Sequence, residues 1–294
     1  MKHIGFAFVC AALFFAGCAN NTADVPGKTV IFRMGSTDSS AFPDENPVHS
    51  VILTRSIAMS DHEVTQAEWK SVMGEENNPS FFSGDDLPVE KVSWYMALVY
   101  CNKLSIHEGR TPCYKITVDG SPLDFAAFPF DDIPTDSNDE WNAVICDWDA
   151  DGWRLPTSAE WEYAARDTLT ATDIAVWAGT TDSEKLPDYA WYGKNAENTT
   201  HAVKGKLPNG RGLYDMSGNV KEWCWDAWDG RSPYDSDQTV TDPTGQDAAV
   251  VKFHIHRGGD WKEDKRIDRV SYRGYAQPWY KRQTIGFRVC RTVK

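Results

Sequence analysis

Three stretches of the chain place apolar residues at helical spacing, and each opens on a capping residue. Thr65 precedes residues 66–73, with Glu68 three positions on and Gly74 as a stop; a hydroxyl that takes the third amide and a glutamate that reaches back form a capping box. Ser93 stands before "WYMALVYCNKLSIHEG", where Met96, Val99, Tyr100, Lys103 and Leu104 share a face and Gly109 closes the segment. Thr157 and Glu160 form the third start, behind Pro156, which keeps the entry extended. Elsewhere the apolar runs are short. Residues 29–36 predict a strand ending in a turn, and 49–65 a pair of extended segments. Residues 113–152 read as an excursion: a strand near 114–118, a loop rich in Pro and Asp, and a returning strand within 141–148. From Trp191 onward, short segments are broken by Gly, Asn, Asp and Pro. Helices early and short strands late place the chain in the α+β class.

The N-terminus follows a different logic. Lys2 and His3 precede an apolar run, Ile4 to Ala16, too short to span a bilayer. It ends Phe15-Ala16-Gly17-Cys18, which resembles a bacterial lipobox with Phe15 where leucine is usual; a plain secretion signal is the alternative. The expectation is a signal peptide over 1–17, lipidation at Cys18, a polar tether over 18–28 and one domain over 29–294. Such a protein would be lipid-anchored in the cell envelope, on the outer membrane and facing outward. Cys101, Cys113, Cys146, Cys224 and Cys290 then remain, an odd number, so at least one thiol stays free. Cys113 and Cys146 lie near the base of the excursion and either pair or stay as two thiols. No Cys/His spacing suggests zinc. His254 and His256 alternate on an expected strand and read as surface histidines.

Net charge is −13, which argues against nucleic acid as a partner. The charge is uneven. Residues 252–294 carry 12 Lys+Arg and 4 Asp+Glu, a balance of +8, which leaves 18 and 39, a balance of −21, for the rest. The C-terminal arginines either pair with carboxylates of the domain or form a basic face. The 13 tryptophans, many beside Gly, Asp or Asn, fit a loop-rich fold stiffened by aromatics.

Seven motifs run in order: "FRMGS" (32–36), "HEVTQAEW" (62–69), "VEKVSWYMALVYCN" (89–102), "WRLPTSAEWEYAAR" (153–166), "GLYDMSGNVKEW" (212–223), "RGGDW" (257–261) and "GFRV" (286–289). The series resembles the formylglycine-generating-enzyme-like (sulfatase-modifying-factor) family over about residues 29–294. The resemblance implies a C-type-lectin-like α+β domain with much irregular structure. The family's enzymes oxidise a substrate cysteine with copper and oxygen, using cysteines at the fourth and ninth positions after "RGG". Here those positions are Glu263 and Asp268. Thiolates suit Cu(I), whereas carboxylates suit hard cations and carry no redox chemistry. No copper, no required cofactor and no catalytic residue are therefore expected. Glu263 and Asp268 could make an acid/base pair, but Asp260, Lys262, Asp264, Lys265 and Arg266 crowd the stretch and predict a solvated mixed-charge loop. By the same resemblance, "GNVKEW" implies a structural calcium held by Asn219, Val220 and Glu222, oxygen donors of the type calcium prefers. Lys221 stands there in place of the family's tryptophan, and a Gly-Asn turn before a packed Trp223 is the alternative.

The segment 257–288 divides into frame and filling. Arg257, Gly258, Gly259, Trp261, Arg269, Ser271, Arg273, Pro278, Ile285, Gly286, Phe287 and Arg288 fit the family pattern. Between them stand Lys262, Glu263, Asp264, Arg266, Ile267, Tyr272, Gly274, Tyr275, Ala276, Gln277, Trp279, Tyr280, Arg282, Gln283 and Thr284. This layout resembles the variable region of lectin-fold proteins diversified by retroelements, which implies that the filling binds a ligand. Mutation at adenines of AAY codons reaches Tyr, Gly, Ala, Arg, Thr, Ile and Asp; Lys262, Glu263, Gln277, Trp279 and Gln283 require other template codons. Independently, Tyr, Trp and Arg on loops of a rigid scaffold are the residues of recognition. Tyr272, Tyr275, Trp279 and Tyr280 are accordingly expected to form an exposed patch for a protein ligand on a host or another cell. Two other functions compete: an exported enzyme with replaced chemistry, and a structural envelope lipoprotein.

Overall fold

Each predicted cap sits at a helix start. In the computed structural model, residues 22–25, 29–166, 176–236, 238–248 and 250–294 are described; the signal segment, Cys18 and most of the tether lie outside them. Thr65 caps Gln66–Met73, Ser93 caps Trp94–His107 and Thr157 caps Ser158–Ala165, each hydroxyl accepting the third amide. Two four-residue helices, Asp139–Asn142 and Leu186–Tyr189, are added.

The strands form small sheets from distant parts of the chain. One antiparallel sheet orders Thr22–Val25, Ser56–Ser60, Cys290–Val293 and Trp153–Arg154. A second orders Gly274–Ala276, His254–Arg257, Lys221–Ala227 and Ile285–Gly286, with only the last pair parallel. A third orders Thr239–Thr241, His49–Leu53 and Val30–Met34. The consecutive strands His49–Leu53 and Ser56–Ser60 therefore enter different sheets. The excursion closes as Tyr114–Lys115 against Ile145–Cys146, with a helical turn where its returning strand was expected to begin. Cys113 and Cys146 do not pair: all five described cysteines are free, buried thiols.

Two large apolar clusters make most of the core, beside a small third one around Trp177 and Leu186. One surrounds Trp94, Leu98 and Tyr100 and takes in Trp223 and Phe287; the other surrounds Trp161 and Tyr163 and takes in Met59, Cys224 and Ile255. Lys221–Ala227 lies between them, because successive side chains of a strand point to opposite faces. Indole N–H groups then staple loops to this core. Trp94 donates to the Cys224 carbonyl, Trp223 to that of Val92 and Trp261 to that of Gln283, each at 2.9 Å. A buried indole brings a large apolar face and one donor that must be met, so this chain uses tryptophan where an irregular loop has a carbonyl to spare.

Candidate functional site

The frame is held by buried ion pairs. Arg257 binds Glu162 at 2.6 Å, Arg288 binds Glu222 at 2.7 Å and Arg269 binds Glu45 at 3.0 Å, all six groups buried. Burial pushes Glu162 upward, but Arg166, Arg257 and Arg273 outweigh it and hold its carboxyl at about 2. Part of the basic excess at the C-terminus is thus spent internally. The chain leaves His254–Arg257 through Gly258 and Gly259, at φ +90° and +73°, a region that favours glycine. A Cβ on Gly259 would sit inside the Asp268 carboxylate.

The filling gathers around one cleft. A cavity of about 700 Å³ opens across the second sheet, and Lys262, Glu263, Tyr272, Gly274, Tyr275, Ala276, Gln277, Tyr280, Arg282, Gln283 and Thr284 line it. Asp44, Lys221, Phe253, His256, Arg273 and Ile285 complete the lining. Tyr275 is 45% exposed, yet its ring is braced edge-on by Trp228 at 5.4 Å and Phe253 at 5.6 Å. Tyr272 leans on Phe42 at 5.5 Å. The Tyr280 hydroxyl accepts from Arg282 Nε at 2.7 Å. These contacts fix the rings while leaving faces or edges open, which lowers the entropy cost of binding.

Several sequence-based expectations change here. Trp279 is absent from the cleft lining; half-buried, it packs on the first core cluster, because the neighbouring Pro278 carbonyl takes the Trp94 amide at 2.9 Å and draws the turn onto the helix start. Asp264, Arg266 and Ile267 lie on the 262–267 turn outside the cleft, Asp264 pairing with Arg266 at 3.1 Å. Gly274 and Ala276 are buried strand residues that form floor rather than rim. His254 and His256 are not surface residues. His254 is sealed against Trp94, ring centroids 3.6 Å apart, and burial pulls both histidines down to about 3. His256 sits across from Gly274 in register, and a Cβ at 274 would enter its ring.

The loop after "RGG" is solvated only at its crest. Lys262, Glu263, Asp264 and Arg266 are exposed, but Asp260 and Asp268 are fully buried. Asp260 accepts the amides of Lys262 at 2.7 Å and Glu263 at 3.1 Å and ion-pairs with Lys221. Both oxygens of Asp268 are buried without a partner. Burial, then Asp260, drive its carboxyl well above the usual range. Glu263 and Asp268 thus occupy opposite environments.

The residues considered for calcium are committed elsewhere. Glu222 gives one oxygen to Arg288 Nη2 at 2.7 Å and the other to Arg288 Nε at 2.7 Å and the Trp161 indole at 2.6 Å. The Asn219 side chain bridges Glu63 and the His201 backbone, and its carbonyl takes the Trp261 amide. The Val220 amide goes to Glu63. Both Glu222 oxygens are thus engaged by Arg288 and Trp161; among the described residues no group of three or more His, Cys, Asp or Glu is placed to hold a metal.

Sequence reasoning missed Arg273 and His256 as parts of the cleft, taking one for frame and the other for surface. Their signal is visible only in pairing: Gly274 beside Arg273, in register with His256.

The comparisons with known proteins bear on the family and the fold. The sulfatase-modifying factor enzyme 1-like domain matches residues 17–293. Treponema denticola variable protein 1 superposes with a TM-score of 0.83 at 38% identity, over 92% of this chain and 95% of that one. The protein named chaperone protein LppX of Paenibacillus barcinonensis is 31% identical, over 93% of this chain and 92% of its own length. The formylglycine-generating enzyme of Thermomonospora curvata is 27% identical, over 83% of each. Matched over nearly its whole length, this chain belongs to the sulfatase-modifying factor enzyme 1-like family, on an α+β scaffold shared with Treponema denticola variable protein 1.

Proposed function

We propose that this chain is a surface-anchored lipoprotein whose family scaffold serves recognition rather than catalysis, displaying an exchangeable cleft to a protein ligand. One observation carries the reading: most of the filling residues, scattered over 262–284, meet around a single open cleft, while the frame arginines Arg257, Arg269 and Arg288 are buried in ion pairs. The likeness to a variable protein supports the exchange of the filling by a retroelement. Relatives that are formylglycine-generating enzymes keep the enzymatic alternative in view. Against it stand an exposed Glu263 and a sealed Asp268 where the family's enzymes have thiols. Among the described residues the thiols are all buried, Cys113 pushed up to about 11 by burial, whereas a reactive thiol needs access and a lowered pKa.

The test is photo-crosslinking on intact cells, with a photoreactive residue at Tyr275, at Tyr280 or at Ile145, which is exposed and outside the cleft. A discrete adduct from the two cleft positions and not from Ile145 is expected. The same pattern from all three overturns the proposal. Mass spectrometry of the native N-terminus tests the anchor, which requires acyl chains on Cys18, more than one because a single chain holds only marginally.

A further inference from the structure

The cleft is basic on a protein that is acidic. Ion pairs near it join Lys221 to Asp260 and to Glu263 at 3.4 Å, and Arg266 to Asp264. Among the described residues they leave Lys262, Arg273 and Arg282 unmatched. Asp44 is the other carboxyl of the lining, and burial, above all other influences, pushes it up to about 6.

Arg273 is the unusual member. It is 4% exposed, and its Nε and Nη2 are buried without a hydrogen-bond partner. A buried guanidinium is normally paired with a carboxylate; Arg257, Arg269 and Arg288 in this same segment each have one. Burial, then Arg257, pull Arg273 down to about 10. On its inner side it borders a narrow cavity with His49, Asp226 and Tyr234, and its guanidinium carbon lies 5.7 Å from the Trp228 ring. Asp226 lies near it without an ion pair, its carboxylate accepting the Ser158 amide at 2.7 Å.

Resting on the reading of the cleft as a ligand site, we propose that it receives an acidic side chain of a protein ligand, the carboxylate seated on Arg273 and flanked by Tyr272, Tyr275 and Tyr280. A guanidinium fork matches a carboxylate in shape and charge, and gains most where water is scarce. Tyr rings with Gln277, Gln283 and Thr284 supply the apolar contact and adaptable polar groups typical of protein-binding loops. Arg273 belongs to the frame whereas the walls belong to the filling. The acid seat is therefore constant, and exchange of the walls selects the sequence around the acid.

The probe is a set of short immobilised peptides in which a central Asp or Glu is paired with its amide isostere. Peptides bound by the wild-type protein should carry the acid, lose at least about tenfold in affinity as amides, and weaken as salt rises from about 0.05 to about 0.5 M. Arg273→Gln should abolish the preference for acid over amide. Its melting curve shows whether it folds, and Arg282→Gln, at an exposed position, should weaken acid binding in a folded background. Equal binding of acid and amide peptides overturns the acid seat. So does binding of an anionic oligosaccharide with no acidic peptide bound. If adducts still form from Tyr275 in either case, the cleft remains a ligand site of other chemistry; if none form, the reading beneath it fails as well.

Discussion

Replacing Glu222 by glutamine tests the frame at its most enclosed point. Glu222 and Arg288 are both completely buried, joined by two bonds of 2.7 Å, with the Trp161 indole as a third partner. The amide keeps the shape but turns one acceptor into a donor facing a guanidinium, and it removes the charge that offsets Arg288. Breaking a buried pair from one side costs about 3–5 kcal/mol. Here the low end applies, because Arg288 keeps the Ser60 and Tyr214 carbonyls at 3.1 and 2.8 Å. A loss of about 3 kcal/mol is a large part of an ordinary domain's stability and lowers a chain of this size by about 6–12 °C. The assay is urea denaturation and thermal melting of both proteins, each with added calcium and with chelator. The account predicts the same loss in both conditions, since Glu222 serves Arg288. A variant within about 1 kcal/mol of wild type in chelator, with a deficit appearing only when calcium is added, would refute the reasoning and restore Glu222 as a metal ligand.

Gly274→Ala should destabilise by about 1–3 kcal/mol, against the usual gain from replacing a strand glycine, because the new methyl enters the His256 ring; urea melts in a His256→Ala background should show that loss removed. The buried carboxyl of Asp268 is raised, so it binds its proton more tightly folded than unfolded. Its contribution is full below the unfolded value near 3.8 and is lost as pH rises toward the folded value, by about 1.4 kcal/mol per unit. The stability of Asp268→Asn relative to wild type should rise as pH is raised above the unfolded value, by at most that slope; a flat difference removes the assignment. Incubated with a cysteine-containing sulfatase peptide, copper and oxygen, the purified protein should form no aldehyde by mass spectrometry, and measurable conversion would restore the enzymatic reading.

What was legible in the sequence was local. Thr65 and Thr157 announce their helices because a capping box is complete within four residues, and Ser93 because its hydroxyl takes the third amide. The division of 257–288 into frame and filling was legible from motif order. Burial was not, since it depends on what arrives from elsewhere in the chain. His256 is buried by Gly274, and Asp268 by the Gly258–Gly259 turn. Trp279 is drawn inward by the Trp94 amide, well over a hundred residues earlier. For the same reason His49–Leu53 and Ser56–Ser60 read as companions yet join different sheets. Lys221, a departure from the family pattern in the sequence, is the partner of a buried aspartate.

The central claim is a division of labour: buried frame positions hold the fold, and rim positions of the cleft are free to change. Saturation mutagenesis of every residue from 257 to 288, read by protease resistance of the displayed domain, tests it most directly. The account predicts tolerance at 262–264, 266, 275, 277 and 280–284, and intolerance at 257–261, 268–271 and 285–288. Uniform tolerance along the segment, or intolerance at Tyr275, Tyr280 and Arg282 equal to that at Arg257 and Arg288, would contradict it.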